Sequence, residues 1–310
     1  MKLNRTLKMT AVCRALLIAA FALMSGGALK AQGNFFDNSV TAGSQTITLG
    51  TAGGGTGYQN WAIFALSGGV TITDPTSGGG YDVLGNVGMA GSGYLNMSVA
   101  WVSGGVYNPT GTGNLFSGGS YASGGAGAMG GTYFPTAVTN AQNASGAATA
   151  AGAGGSITGT GINALTYGGA FTGTPGTIAL SGTSASITGQ ANQTYVLNLT
   201  NLALASSTLT LVGTASTNFV FNIAQYMVLS NAAHIVLSGG LQPQNVLFNV
   251  QSNTPQYDVT LSGASTANGI ILAPTRNVKM TGASAVTGEV IANAVSLAGA
   301  SKVINPTVSP

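Results

Sequence analysis

Hydrophobic and polar residues alternate with a period of two along most of the chain, and helical periodicity is nearly absent. The segment TYVLNLTNLAL places Tyr195, Leu197 and Leu199 on one face, then changes phase so that Leu202 and Leu204 continue on that face. Such alternation predicts strands with one buried side. Gly, Asn, Ser and Pro interrupt the runs every few residues, which is typical of the turns between short strands. The sequence therefore predicts an all-β protein.

A short element recurs in the C-terminal half: Leu or Met, one variable residue, Gly or Asn, then two small residues. It begins at Leu180, Leu211, Leu229, Leu261, Met280 and Leu297, so the successive separations along the chain are 31, 18, 32, 19 and 17. The midpoints of the two long gaps fall on strand-like segments, 196–199 and 245–250. One unit of about 16 to 19 residues therefore describes this region, which is a length typical of one turn of a β-solenoid.

We therefore predict an irregular right-handed parallel β-solenoid, or β-helix, with residues 180–303 as its most regular turns. A β-sandwich with evenly spaced strands is the alternative. The Gly-Ala-Ser copies at 263, 282 and 299 are predicted corners where one turn sits on the next, and Met280 and Leu297 are predicted to point into the core.

Two segments depart from this pattern. Residues 103–134 are very rich in glycine and are predicted to form long loops. Residues 136–152 are rich in alanine and follow Pro135, so they are a candidate helix beside the solenoid. Thr136 is the predicted cap of that helix, and its inward side would consist of Ala137, Ala141, Ala144 and Ala148.

The N-terminal segment, residues 1–31, has the arrangement of a secretory signal peptide. Four basic residues precede an apolar run of ten residues, Ala15–Met24, and small residues follow up to a plausible cleavage site after Ala31. We therefore expect export to the extracellular space or the cell surface, with residues 32–310 as a single domain. The only cysteine, Cys13, lies in the predicted signal, so no disulfide is expected.

Removal of this signal reverses the sign of the net charge. The full chain carries a formal net charge of +3, but five of its eight basic residues lie within segment 1–31 and all five acidic residues follow it. The remainder has a formal charge of −2. Because nucleic-acid binding depends on clustered basic residues, we expect no nucleic-acid partner.

Catalytic and metal-binding groups are scarce. Asp74 and Asp82 are eight residues apart across a Gly-rich turn, and Asp258 and Glu289 are far apart in the sequence. His234 is a lone histidine in a strand, which is more often structural than catalytic. A calcium-stacked solenoid needs an aspartate in nearly every turn. The sequence therefore predicts no enzyme, no cofactor and no metal site; a polysaccharide lyase or hydrolase remains as a third class only because β-helices support that chemistry elsewhere.

Pairs of threonines two residues apart form the only constellation with binding chemistry. They are Thr46 and Thr48, Thr71 and Thr73, Thr158 and Thr160, and Thr208 and Thr210. Each pair would place two hydroxyls about 6.5 to 7 Å apart on one strand face, and stacked rows of such pairs form a flat uncharged surface suited to ice. The alternative is that threonine simply favours strands. Thr71, Thr73, Thr208 and Thr210 are the candidate surface-binding residues.

Three segments resemble the choice-of-anchor A domain family of secreted bacterial adhesin-like proteins: Asn245–Val250, Gly269–Pro274 and Thr287–Val303. The upstream Tyr81–Gly93 is similar to an early glycine-containing element of that family. The order of parts is also similar to bacterial ice-binding-protein-like β-solenoids, with a strand region, an Ala-rich helix and closing turns. The resemblance implies a β-solenoid fold without assigning binding residues.

From these observations we expect a secreted, non-enzymatic adhesion or structural module at the cell surface or in the extracellular matrix. Its partner would be an extracellular surface, a polysaccharide or a matrix protein, and exposed solenoid ends would allow self-association. The alternative is an ice-binding protein of the same architecture that uses a flat Thr/Ser/Ala face.

Overall fold

Strands account for most of the described chain, and many are short. The structure, a computed structural model, describes residues 40–42, 45–47, 49, 61–73, 81–91, 94–98, 100–109, 114–117, 121–122, 126–128, 133–151, 157–158, 163–166, 176–251 and 257–307. All of them belong to one compact unit, residues 33–310. The predicted signal peptide, residues 1–31, lies outside the described residues.

The described residues form 25 strands, one α-helix and one short 3-10 turn. The N-terminal strands are β1 (Val40–Ala42), β2 (Gln45–Ile47), β3 (Trp61–Ala65), β4 (Val70–Thr73), β5 (Val83–Leu84), β6 (Asn86–Met89), β7 (Leu95–Ser98), β8 (Trp101–Val102), β9 (Val106–Asn108), β10 (Asn114–Ser117), β11 (Tyr121–Ala122) and β12 (Ala126–Ala128). Helix α1 (Tyr133–Ala151) follows. The later strands are β13 (Ile157–Thr158), β14 (Asn163–Thr166), β15 (Gly176–Ser181), β16 (Ser184–Thr188), β17 (Thr194–Ala205), β18 (Thr208–Val212), β19 (Asn218–Ser230), β20 (His234–Ser238), β21 (Val246–Val250), β22 (Val259–Leu261), β23 (Thr266–Met280), β24 (Ala285–Ala298) and β25 (Lys302–Ile304); the 3-10 turn Pro243–Asn245 precedes β21.

The chain coils in stacked turns whose strands pair in parallel, and the antiparallel pairs are β1 with β2, β13 with β17 and β14 with β16. The two halves of β17 pair with the corresponding halves of β19. β18, which follows β17, pairs with β20, which follows β19. Each turn therefore presents three strand positions to the next turn, and the stack has three faces.

The three faces are named here by what lies on them. The helix face contains β3, β6, β9, β12, β21, the first halves of β17 and β19, and the middle parts of β23 and β24. The small-residue face contains β4, β7, β10, β15, β22, the second halves of β17 and β19, and the last parts of β23 and β24. The third face contains β5, β8, β11, β16, β18, β20, β25 and the first parts of β23 and β24.

The turns do not stack in the order of the sequence. β24, near the end of the chain, pairs in parallel with β3 and β4, and β25 pairs with β5. The stack therefore runs from β15 to β25 and then continues from β3 to β12. The N-terminal turns rest on the C-terminal ones, so this part of the stack is closed by contacts between residues far apart in the sequence, such as Ile63 and Val290.

Inward side chains of all three faces merge into one apolar core. Within it the rings of Tyr195, Phe219, Phe221 and Phe248 form a stacked file, with successive centroids 5.4, 6.3 and 5.2 Å apart. Aromatic stacking and apolar burial of this kind stabilise the stack level by level.

Helix α1 lies on the helix face and buries the four alanines that the sequence predicted, Ala137, Ala141, Ala144 and Ala148. It begins at Tyr133, so Thr136 lies inside the first turn and is not its cap. The rings of Tyr133 and Phe134 are buried against the sheet, and this packing extends the helix beyond the start that the alanine pattern marks.

A ladder of asparagines joins α1 to the sheet. Asn249 Nδ2 donates to Asn222 Oδ1 at 2.9 Å, and Asn222 Nδ2 donates to Asn198 Oδ1 at 3.0 Å. Asn249 Nδ2 also donates to the carbonyl of Ser145 at 3.1 Å, while the Ser145 hydroxyl donates to Asn249 Oδ1 at 2.6 Å. Asn222 Nδ2 reaches the carbonyl of Ala148 at 2.7 Å. Because a buried amide without partners is costly, these bonds fix the position of the helix on its face.

In the structure, most copies of the repeat found in the sequence contribute inward side chains that line up from turn to turn in one column. The predicted turn length of about 16 to 19 residues is right for two of the five turns along this column and wrong for the other three. The column consists of Leu180, Leu204, Leu229, Leu261, Met280 and Leu297, and its successive separations along the chain are 24, 25, 32, 19 and 17. Leu211 belongs instead to the third face, where it pairs with Leu237. Longer connections at the corners lengthen the early turns, so the uniform unit holds only from Leu261 onward.

The Gly-Ala-Ser copies are corners, as predicted. Gly263, Gly282 and Gly299 have φ of 62°, 63° and 59°, and the alanines that follow them have φ of 61°, 62° and 62°. A Cβ on Gly299 would lie 2.9 Å from the Gly282 nitrogen, so the close approach of successive corners requires glycine. The next serine is buried in each copy, and its hydroxyl donates to the carbonyl three residues earlier at 2.6 to 2.7 Å.

The Gly-rich region 103–134 is not a set of long loops. It contains β9, β10, β11 and β12, which pair with strands of the preceding turns, and the start of α1. Of these strands only β12 contains a glycine, Gly127, so the other glycines of the segment lie outside the strands. The prediction was wrong because strands of two to four residues are too short to show an alternation of side chains.

Candidate functional site

Two of the three faces are open to solvent along most of the stack. Helix α1 covers much of the helix face, where the outward residues Val196, Val220, Leu247, Ile270 and Ile291 are all buried. On the other two faces the outward residues are half-buried or exposed. Two broad surfaces are therefore accessible to a large partner.

The small-residue face takes its name from its outward side chains. These line up in columns that run along the stack, and each turn of the stack is one level. Across eight successive levels this column contains Ala179, Ala203, Val228, Thr260, Lys279, Ser296, Thr71 and Asn96. The column beside it includes Ser181, Ala205, Ser230, Ala298 and Thr73. Most of these side chains carry no more than three heavy atoms, so they form a low surface on a rigid parallel sheet.

One ion pair interrupts this low surface. Lys279 Nζ lies 2.5 Å from Asp258 Oδ2, and the lysine side chain is 56% exposed. Thr260 and Ser296 flank Lys279 in the central column. The pair divides the face into an Ala-rich half near β15 and a Ser/Thr-rich half near β4.

The third face combines short outward side chains, such as Ser184, Ser186 and Thr210, with longer ones. Its central column includes Thr210, Val236 and Ile304, and the neighbouring column includes His234 and Lys302. The His234 ring Nδ1 lies 2.9 Å from the Thr266 hydroxyl of the next level, which gives this histidine a structural partner. Long side chains therefore lie among short ones on this face, as Lys279 does on the small-residue face.

The four predicted surface-binding threonines are all outward and half-buried, but they do not form one surface. Thr71 and Thr73 lie on the small-residue face in β4, and Thr208 and Thr210 lie on the third face in β18. Of the other threonines considered, Thr48 and Thr160 lie outside the described residues.

Threonine pairs alone could not identify the small-residue face, because serine and alanine occupy the same column as threonine. Thr71 pairs with Ser296, which the sequence search did not single out. Ala203 and Ala179 occupy the same column further along. The outward phase of each strand was readable from the sequence, but which strands share a face depends on the lengths of the corners between them.

The acidic residues that the structure describes, Asp82, Asp258 and Glu289, do not come together, and Asp74 lies outside the described residues. Asp82 is buried and accepts the backbone N–H of Trp101 at 2.9 Å. Glu289 is buried on the helix face, where burial raises the pKa of its carboxyl well above the ordinary value. Asp258 is paired with Lys279. Within the described part of the chain no three His, Cys, Asp or Glu residues lie close enough to hold a metal ion.

Glu289 belongs to a buried polar network where the N-terminal turns meet the C-terminal ones. Asn305 Nδ2 lies 3.4 Å from Glu289 Oε1 and donates to the carbonyl of Trp61 at 2.9 Å. Trp61 Nε1 donates to the Tyr133 hydroxyl at 2.7 Å. Burial raises the pKa of that hydroxyl, the Trp61 bond opposes the rise, and the nearby Glu289 adds to it. The network ties α1 to both sets of turns and has the character of a structural junction.

None of the described helices is long and apolar enough to cross a membrane.

The profile of the ice-binding-like family matches residues 66–303, well over half of the chain. The chain belongs to the ice-binding-like family. The match spans both N-terminal and C-terminal turns of the stack, including the whole of α1. Of the two resemblances noted in the sequence, the comparisons support the ice-binding-like one, and the choice-of-anchor A resemblance finds no support in them.

Several solved structures are similar to this member of the ice-binding-like family. An ice-binding protein from an Arctic yeast, described for its antifreeze activity, is 19% identical, with 81% of this chain and 93% of that chain covered and a TM-score of 0.46. An ice-binding protein from the Antarctic ascomycete Antarctomyces psychrotrophicus is 16% identical, with 81% and 96% covered and a TM-score of 0.47. A domain of a Shewanella frigidimarina ice-binding protein is 16% identical, with 88% and 100% covered and a TM-score of 0.47. Among curated proteins, none matches this sequence significantly.

Proposed function

We propose that this protein binds ice through its small-residue face. Membership of the ice-binding-like family supports ice as the partner. The observation that carries the choice of surface is the central column of mostly Ala, Ser and Thr side chains across eight levels. This replaces adhesion, the first hypothesis from the sequence, which the comparisons do not support.

The spacing of this face suits a crystalline partner. Neighbouring levels of a sheet lie about 4.8 Å apart, and outward residues of one strand lie about 6.6 to 6.8 Å apart. These distances are comparable with the repeats between oxygen atoms on the surfaces of hexagonal ice. Methyl and hydroxyl groups fixed at such intervals can hold water in an ice-like arrangement that merges with the lattice.

Rigidity makes this contact favourable. The backbone of each level is bonded to the levels on either side, as in the pairing of Ser296 with Thr71 and Lys279. Small side chains have few rotamers, so little conformational entropy is lost when they meet a solid surface. The third face has this advantage to a lesser degree, because Ile304 lies in its central column and the long side chains of His234 and Lys302 lie beside it. On the small-residue face the long side chain in the central column is Lys279.

The proposal includes the handedness of the coil and the export of the protein. We infer that the stacked turns form an irregular right-handed β-solenoid, since connections between parallel strands of one sheet are right-handed in about 98% of cases. Export to the extracellular space, inferred from the signal-like segment 1–31, would bring the small-residue face into contact with external ice.

Thermal hysteresis of the purified protein tests this proposal, together with its incorporation into a slowly growing ice hemisphere. We expect a gap between the melting and freezing temperatures that grows with protein concentration, and enrichment in the ice fraction. Heat-denatured protein serves as the control. Exclusion of the folded protein from the ice, with no hysteresis, would show that the chain does not bind ice.

A further inference from the structure

A shallow groove of about 250 Å³ runs along one edge of the small-residue face. The edge column contains Asn277, Ala294, Gly69 and Tyr94 on successive levels. Because Ala294 and Gly69 have almost no side chain, the surface drops between Asn277 and Tyr94. Three steps between levels separate these two residues, a span of about 14 Å.

The backbone itself keeps the floor of this groove low. A Cβ on Gly69 would lie 2.4 Å from the carbonyl oxygen of Tyr94, so no side chain fits there. The same carbonyl accepts the N–H of Val70 at 3.1 Å, and the carbonyl of Gly69 accepts the N–H of Val295 at 3.1 Å. These ladder bonds hold the strands in place, so the groove is a fixed part of the stack.

Tyr94 forms one end of the groove and is 54% exposed. Large aromatic side chains are usually buried or used in recognition, because their faces gain by contact with apolar groups. An exposed ring beside a fixed depression is suited to stack against a flat ligand with C–H groups on its face.

The other end of the groove presents hydrogen-bond donors in a set orientation. Asn293 Nδ2 donates to Asn277 Oδ1 at 2.9 Å, and Asn293 Oδ1 accepts from the Ser67 hydroxyl. This orientation leaves the Asn277 amide N–H groups for a ligand. The hydroxyls of Thr71 and Ser296 line the groove between its two ends.

We propose that this groove binds hexose units of a neutral polysaccharide. A hexose ring offers a face of C–H groups to Tyr94 and a rim of hydroxyls to Asn277, Thr71 and Ser296. Lys279 also lines the groove, but it is already paired with Asp258, so an acidic sugar gains little from it. This site shares Thr71 and Ser296 with the proposed ice-binding face and goes beyond it through Asn277 and Tyr94, which lie in the edge column.

Titration with maltohexaose, cellohexaose and laminarihexaose, followed by calorimetry, tests this site in the full protein. We expect at least one of these glucans to bind. Tyr94→Ala should weaken that binding about fivefold, the effect of losing one stacking partner, and Tyr94→Phe should retain it. Tyr257→Ala is the matched control, because Tyr257 is also exposed (41%) but contacts Tyr226 and does not line the groove.

Three results would overturn the proposal: no binding of any of the three glucans at millimolar concentration, equal binding by wild type and Tyr94→Ala, or tighter binding of hexagalacturonate than of all the glucans. Thermal hysteresis of Tyr94→Ala is measured in parallel and is expected to match wild type. Glucan binding that depends on Tyr94 in a protein without hysteresis would refute ice binding and leave the sugar site intact.

Discussion

At the scale of single residues, Lys279 is the clearest exception on the small-residue face. Among the eight residues of the central column it alone is charged, and it rises from between Thr260 and Ser296. Its exposed ion pair with Asp258 contributes about 0–1 kcal/mol to stability. Contact with ice would require this ammonium group to lose part of its hydration, which opposes binding.

Lys279→Thr should therefore increase ice binding. The change would extend a run of hydroxyl side chains from Thr260 through Ser296 to Thr71. We expect thermal hysteresis to rise about twofold, with the free energy of unfolding changed by about 1 kcal/mol or less. Lys302→Thr on the third face is the matched control and should leave hysteresis unchanged. A fall in hysteresis on replacing Lys279 would mean that the lysine itself contacts ice.

The buried Glu289 makes stability depend on pH. Burial raises its pKa, so the folded protein holds a proton that the unfolded chain releases above the ordinary value of 4.5. The folded state then binds more protons than the unfolded state, and stability falls as the pH rises from 4.5 toward the raised pKa.

Glu289→Gln should remove this decrease in stability with rising pH. We expect the variant to be more stable than wild type at pH 7 and close to wild type at about pH 3.5, where the carboxyl is protonated in both states. Urea unfolding at the two pH values measures the difference. Equal stabilities at neutral pH would show that Glu289 is not held neutral in the fold.

At the scale of elements, the attachment of α1 depends on the asparagine ladder. Asn249 makes bonds to Ser145 and to Asn222, and all three side chains are buried. Breaking such a network leaves several polar groups unsatisfied.

Asn249→Ala should destabilise the protein by about 2–4 kcal/mol and increase hydrogen exchange in α1 before the strands of β23 and β24 exchange. Asn198→Ala provides the control, since Asn198 is half-buried at the end of the ladder and should cost about 1 kcal/mol. Equal loss of protection in α1 and in the strands would show that the helix is not held separately by the ladder.

The elements also show what could be predicted from the sequence. Alternation predicted the strands around Leu197, and the spacing of alanines predicted the buried side of α1, because both are local consequences of backbone geometry. The short strands β9 to β12 in the Gly-rich region were missed, since their pairing is set by neighbouring turns. Leu211 was placed in the wrong column because corner lengths vary and the composition of corners and strands is similar.

At the scale of the whole molecule, the turns of the stack do not follow the order of the sequence. β3 and β4 pair with β24, so the N-terminal turns need the C-terminal ones as their base. No local pattern carries this information, and the sequence alone could not place Thr71 beside Ser296. The small-residue face exists as one continuous surface only because this distant pairing joins its two halves.

The claim that this face binds ice is tested most directly by one pair of variants. Thr71→Tyr places a large ring in the central column of the small-residue face, and Thr210→Tyr places the same ring in the central column of the third face. Both threonines are half-buried and outward, so both changes should be tolerated by the fold. We expect Thr71→Tyr to reduce thermal hysteresis severalfold, because the ring holds the face away from the ice surface, and Thr210→Tyr to match wild type. Full hysteresis in Thr71→Tyr, with a loss in Thr210→Tyr, would contradict the assignment of the ice-binding face.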